Sequence, residues 1–142
     1  MEMPDLVTVL IADDHRIVRD GLKRILAGAE EIAVVAEAET GHAALELAAC
    51  HRPRVAMVDL SMPGMPGMDL IRRLKTEHPD TAVLVLTMHG EHQYAMRAFR
   101  AGASGYLTKD SAADELVRAA LALSVPARSG RRPRPVVRGN AR

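Results

Sequence analysis

Five short apolar runs punctuate the chain, at Val7 to Ala12, Ile32 to Ala38, Val55 to Leu60, Ala82 to Thr87 and Gly105 to Thr108. Four are rich in Val, Ile and Leu and nearly continuous rather than alternating in polarity, the pattern of strands buried on both faces. The fifth is a shorter run around Tyr106 and Leu107. Between the runs, apolar residues recur at helical spacing. Ile17, Val18, Leu22, Ile25 and Leu26 mark the inner face of a first helix, with Arg16, Arg19, Asp20 and Lys23 turned away from it. Ala44, Leu45, Leu47 and Ala48 predict a second helix, stopped at His51-Arg52-Pro53, and Met68, Ile71, Leu74 and Lys75 a third that ends before Pro79. Ala95 to Ala101 reads as a short fourth helix capped by Gly102. Ala112 to Ser124 reads as a fifth, with Asp110 or Ser111 as N-cap, Asp114 and Glu115 in its first turn and Pro126 at its end.

Five strand–helix repeats predict an α/β fold: one parallel sheet with helices on both faces, since right-handed crossovers leave few other arrangements. Residues 1–126 form the expected domain. Residues 127–142 hold two Gly, two Pro and only Val136 and Val137 as large apolar residues, and are read as a disordered tail or truncated linker.

Composition narrows the function classes. A 48% hydrophobic content supplies a core, while 2% aromatic residues make it aliphatic and exclude modules that stack bases on aromatic platforms. The single cysteine, Cys50, permits neither an internal disulfide nor a thiolate cluster for zinc, and is read as an inert residue near the core. Ala82 to Leu86 is an apolar run far short of the roughly 18 residues of a membrane span. Met1 to Asp5 lacks a basic-to-apolar leader, so no membrane partner and a cytoplasmic location are expected. The net charge of +1 hides an asymmetry: the tail holds six Arg and no acid, and the preceding 126 residues carry a net of −5.

Function in an open parallel sheet gathers outside the carboxyl ends of its strands. There the first run delivers Asp13 and Asp14, the third Asp59 and the fourth Thr87, while Lys109 follows the fifth. Three carboxylates at close quarters repel unless a proton or a cation joins them. An oxygen-only set suits Mg²⁺, which takes one or two carboxylates and keeps several waters. A metal, a further carboxylate, a hydroxyl and an ammonium together suit phosphoryl transfer, with the third carboxylate as nucleophile.

These residues stand in IADDHRIVRDGLKRIL from Ile11, MVDLSMPGMPGMDLIRRL from Met57 and VLTMHGEHQYAMRAFRAGASGYLTKD from Val85. From Thr8 to about Ser124 the chain resembles the receiver domain of bacterial two-component response regulators, most closely the NarL/FixJ (LuxR-type) class. The resemblance implies a flavodoxin-like strand order 2-1-3-4-5. It implies that Asp59 accepts a phosphoryl group from a sensor histidine kinase. Asp13 and Asp14 would be the Mg²⁺-binding pair, with Asp59 and the backbone carbonyl of Ser61 completing the site. Lys109 would contact the phosphoryl group. Thr87 and Tyr106 would be the switch pair, the hydroxyl moving to the phosphate and the ring turning inward behind it. Regulators of this class usually continue into a C-terminal DNA-binding domain, for which the tail has neither length nor periodicity. The expected protein is thus a phosphoacceptor switch controlling transcription, not an enzyme acting on other substrates, and a homodimer is expected to report its state.

Two other readings are carried. A Mg²⁺-dependent phosphohydrolase could use the same aspartate, but no insertion offers a substrate pocket. A phosphorylation-independent interaction domain would not need the five-residue set. Among lesser features, His15 is read as a helix-start residue, with tuning of the acidic pair as the alternative. His89 and His92 share an i, i+3 spacing without further ligands in sight. Met57, Met62, Met65 and Met68 fill irregular packing. Pro63-Gly64-Met65-Pro66-Gly67 is a rigid turn into the third helix, and residues 88–93 form a mobile loop. The Arg-rich tail could touch nucleic-acid phosphates without sequence preference. No phosphate-binding loop of the GxxxxGK[ST] or GxGxxG kind occurs.

Overall fold

The computed structural model describes residues 6–87, 92–109, 113–124 and the backbone of 136–138. Strands and helices alternate: β1 (Val7–Ala12), α1 (Arg16–Ala27), β2 (Ile32–Ala38), α2 (Gly41–His51), β3 (Val55–Asp59), α3 (Gly67–Glu77), β4 (Ala82–Thr87), α4 (His92–Ala101), β5 (Gly105–Thr108), α5 (Ala113–Leu123) and a short β6 (Val136–Arg138). All pairings are parallel, in the order β2-β1-β3-β4-β5-β6. The first five strands therefore follow the order 2-1-3-4-5 of the expected fold.

Side chains along the central strands alternate between two cores. Leu10, Ala12, Ala56, Val58, Val83, Val85 and Tyr106 point to the face covered by α2, α3 and α4. Val9, Ile11, Val55, Met57, Leu84, Leu86 and Leu107 point to the face covered by α1 and α5. Burial on both faces is why these strands read as unbroken apolar runs. The four methionines pack as expected, Met57, Met62 and Met65 buried and Met68 partly so. Gly102 ends α4 at φ +123°, where an added Cβ would also lie 2.8 Å from Lys75, so both backbone and space call for glycine.

Several expectations are corrected. β2 is not buried on both faces: it is the sheet edge, its middle residues are half-exposed, and its register against β1 slips between Val9 and Leu10. On α1 the assigned faces fail at two positions. Ile17 is 86% exposed, whereas Arg19 is 7% exposed. Helix position alone does not decide burial: Arg19 turns inward to the buried carbonyl oxygen of Asp13, whereas Ile17 stays exposed at the helix start. Cys50 is exposed rather than near the core. α4 begins at His92, three residues before its apolar pattern. Finally, Val136–Arg138 forms a strand inside the stretch read as disordered. Its β-branched pair takes the free hydrogen-bonding edge of β5, in register Gly105↔Val136 to Leu107↔Arg138. The 88–91 part of the expected mobile loop, with His89, and the caps Asp110 and Ser111 lie outside the described residues, as does the His92 side chain.

Candidate functional site

The parallel register places the ends of β1, β3, β4 and β5 side by side: Ala12 pairs with Val58, Asp59 with Leu86, and Thr87 with Thr108. The chain leaving each strand supplies the polar groups. Asp13 stays tied to the sheet through its N–H, which donates to the Ala38 carbonyl at 2.9 Å. The Lys109 N–H donates to the Thr87 carbonyl at 2.7 Å, holding the lysine at the same edge.

One oxygen each from Asp13, Asp14 and Asp59 and one nitrogen of His15 lie within 4.8 Å of one another. Asp13 and Asp59 are buried although charged. Lys109 compensates both, with Nζ 2.9 Å from Asp13 Oδ2 and donating to Asp59 Oδ2 at 3.2 Å. Burial works against its ammonium, but contact with Asp13 and the attraction of both carboxylates outweigh it and hold the Lys109 pKa above its ordinary value. The other Asp59 oxygen, Oδ1, accepts from the Ser61 N–H at 3.1 Å and the Ser61 hydroxyl at 2.9 Å. Asp59 is thus fixed from two sides by separate donors.

Three acidic groups face one lysine, so negative charge remains uncompensated. Asp13 Oδ2 and Asp14 Oδ1 are buried and accept no well-aligned hydrogen bond among the described residues; their close approaches are the ion-pair contacts with Lys109 and His15. Oxygens in that condition suit a hard divalent cation, which needs several oxygen ligands and no particular hydrogen-bond angle.

Of the residues singled out in the sequence, Asp13, Asp14, Asp59 and Lys109 form one cluster. Ser61 reaches it through its N–H and hydroxyl. Thr87 is half-buried on the next strand end. Tyr106 is 2% exposed, its ring already inward in the core beneath α2, α3 and α4.

Arg19 was missed. Its guanidinium donates to the Asp13 carbonyl at 2.7 Å, to Glu37 Oε1 at 3.1 Å and to Glu39 Oε1 at 3.2 Å. Lys23 Nζ adds a bond to Glu37 Oε2 at 3.0 Å. Burial raises the Glu37 pKa, but the Lys23 and Arg19 bonds prevail and hold it below the ordinary value. Arg19, Lys23, Glu37 and Glu39 line a charged cleft of about 540 Å³ between α1 and the β2 end, beside the acidic cluster rather than in it. No spacing rule links position 19 to 37 and 39, so only the fold reveals this network.

Among the described residues no helix is long and apolar enough to cross a membrane. The family model for the response regulator receiver domain matches residues 9–121. The transcriptional regulatory protein DegU of Brevibacillus brevis is 42% identical over 113 residues, 80% of this chain and 48% of that protein. The response regulator GacA of Pseudomonas aeruginosa is 40% identical over 114 residues, 80% of this chain and 53% of that protein. The chain therefore spans about half the length of the curated relatives it matches. Among solved structures, the signal receiver domain of NarL from Mycobacterium tuberculosis superposes with a TM-score of 0.82 at 38% identity, covering 90% of this chain and all of that one. The isolated receiver domain of RcsB from Salmonella enterica, solved with the phosphomimetic BeF3⁻, gives 0.79 at 30% identity, covering 92% and 94%.

Proposed function

Since the chain belongs to the response regulator receiver domain family, we propose that it is a phosphorylation switch whose acceptor is Asp59. The observation that carries the reading is the pairing of one half-buried lysine with two buried aspartates: Lys109 Nζ stands 2.9 Å from Asp13 and 3.2 Å from Asp59. A carboxylate held between Lys109 on one oxygen and Ser61 on the other is oriented for in-line attack, and the ammonium is in place to meet an incoming phosphoryl oxygen. The phosphomimetic complex of the RcsB receiver supports the same chemistry by kinship.

In the reaction proposed, an Asp59 oxygen attacks the phosphorus of a phosphohistidine on a sensor histidine kinase. The P–O bond forms as the P–N bond breaks, and the electron pair leaves with the imidazole nitrogen, which takes up a proton. Lys109 offsets charge on the transferred group. Asp13, Asp14, Asp59 and the Ser61 carbonyl would hold Mg²⁺, which, when bound, neutralises the phosphoryl oxygens. The acyl phosphate is lost when water attacks the same phosphorus, so the domain promotes only its own phosphorylation and dephosphorylation.

Phosphorylation adds about −1.5 to −2 charges and three acceptor oxygens at the sheet edge. The Thr87 hydroxyl donates to one of them and draws the following loop inward, with Tyr106 packed behind it. That makes a two-state element biased by local charge. The output proposed is transcription, through a C-terminal DNA-binding domain that is not part of this sequence. A homodimer reports the switched face, the cytoplasm is the expected setting, and the Arg-rich tail adds at most weak, unspecific attraction for nucleic acid.

The test is intact-protein mass spectrometry after incubation with Mg²⁺ and acetyl phosphate, beside Asp59→Asn. Gain of one phosphoryl group, absent from the variant and without metal, is expected. Equal labelling of parent and variant would refute Asp59 as the acceptor. Sustained turnover of ordinary phosphomonoesters would favour a phosphohydrolase instead.

A further inference from the structure

Beside the Lys109 ammonium, the acidic cluster contains one imidazole, that of His15, whose contacts are with the carboxylates alone among those described. His15 stands at the N-cap of α1, yet its side chain makes no capping hydrogen bond to the helix. Its backbone N–H donates to Asp13 Oδ1 at 2.8 Å, which turns the residue toward the carboxylates. The imidazole Nδ1 lies 3.0 Å from Asp14 Oδ1 and 3.4 Å from Asp13 Oδ1. With one atom from each of Asp13, Asp14, His15 and Asp59 taken, the whole set spans no more than 4.8 Å.

The 3.0 Å and 3.4 Å spacings fit adjacent ligands of a six-coordinate ion, and the 4.8 Å limit of the set exceeds the distance between opposite ones, so the groups would draw together on binding. With bonds of about 2.1 Å, adjacent ligands stand about 3.0 Å apart and opposite ones about 4.2 Å. Asp13 is buried, and its Oδ2 accepts no well-aligned hydrogen bond, its close approach being the Lys109 ammonium at 2.9 Å; with Asp14 and Asp59 beside it, that one ammonium leaves negative charge over for a further cation. The remaining face of the imidazole is open, since the His15 side chain is 64% exposed, so solvent can complete the shell.

We propose that His15 Nδ1 is a metal ligand here, making the centre a mixed site of three carboxylates and one imidazole that favours divalent transition ions. The proposal rests on the reading of the carboxylates as metal ligands and adds selectivity to it. A carboxylate-and-water site suits Mg²⁺, whereas a neutral imidazole adds a softer donor whose benefit rises from Mn²⁺ through Co²⁺ to Ni²⁺. The chain would therefore work with Mg²⁺ where that ion is abundant and bind scarce transition ions far more tightly.

The experiment uses the full chain with metal salts alone. Mn²⁺ is titrated in and followed by electron paramagnetic resonance, and pulsed spectra are searched for coupling to an imidazole nitrogen. Parent protein is expected to show that coupling, and His15→Gln to bind Mn²⁺ without it. In calorimetric titrations His15→Gln is expected to lose about tenfold or more in Ni²⁺ affinity while Mg²⁺ affinity changes less than about twofold. His15→Asn, which suits a helix start, serves as the second variant if His15→Gln loses its circular dichroism. Mn²⁺ bound with an oxygen-only spectrum, or nitrogen coupling that persists in the variant, overturns the inference and leaves the carboxylate site standing. Failure of the parent to bind Mn²⁺ at all overturns both readings.

Discussion

Arg19→Met tests whether the buried guanidinium or the exposed charge pattern of α1 matters to the fold. Methionine keeps an apolar stem of similar reach, so the change removes mainly the donors. Three bonds go. The one to the Asp13 carbonyl is buried at 2.7 Å, and a charged donor on a buried acceptor contributes about 1.5–3 kcal/mol. The bond to Glu37 is partly replaced, since Lys23 still holds the other carboxylate oxygen, and Glu39 is 71% exposed, so both add little. The expected loss is about 2–3 kcal/mol, which for a domain of this size lowers the melting midpoint by about 8–12 °C. Thermal and urea unfolding followed by circular dichroism would measure it. Arg16→Met is the control. Arg16 is exposed and reaches Asp20 only at 4.0 Å, so its removal should cost less than about 0.5 kcal/mol. If Arg19→Met melts within about 2 °C of the parent, or no lower than Arg16→Met, the assignment of energy to the buried donor is wrong.

Other outcomes follow from the same geometry. Thr87→Ala should still take up a phosphoryl group yet lose the chemical-shift response around Tyr106; equal responses in both proteins would remove Thr87 from the switch. Lys109 has its pKa held above the ordinary 10.5, so its stabilisation is full below that pH and lost as pH climbs through the higher folded value. Urea midpoints of parent and Lys109→Met should therefore differ at neutral pH and converge at strongly alkaline pH, and a constant gap would contradict the pairing. Gly67→Ala would put a Cβ 2.7 Å from the Leu60 carbonyl oxygen and 2.9 Å from its Cα, costing about 1–3 kcal/mol by urea unfolding. Because Leu60 adjoins Asp59, phosphoryl uptake should slow as well, and an unchanged rate would show that the turn absorbs the strain.

The α/β order was legible because β1, β3 and β4 are covered on both faces and so read as continuous apolar runs. The cluster was legible for a topological reason: in a parallel sheet all strands end at one edge, so Asp13, Asp59 and Lys109 could be brought together by counting runs. The phase of α1 was not, because periodicity assigns every Arg to water, whereas Arg19 is drawn inward by acceptors on β2 and on the turn after β1. Position in the sheet order also escapes a linear reading. β2 carries as many aliphatic residues as its neighbours but lies at the edge, where its middle residues stay half-exposed. The pairing of Val136–Arg138 was equally hidden, since two valines in an Arg- and Pro-rich stretch give no periodic signal. The Ser61 hydroxyl on Asp59 had a faint signal only, a hydroxyl residue two positions after the carboxylate.

That three-residue strand also bears on how the domain behaves at high concentration. An open sheet has two raw margins, and an unpaired margin invites the backbone of another molecule. On one side the exposed Glu37 of β2 deters such pairing with charge. On the other, Val136–Arg138 occupies β5 itself, so the hydrogen-bonding groups of a strand carrying Tyr106 are spent within the molecule. A chain cut after Ser124 would leave β5 open to its neighbours, and light scattering should then report species larger than a dimer that the full chain does not form.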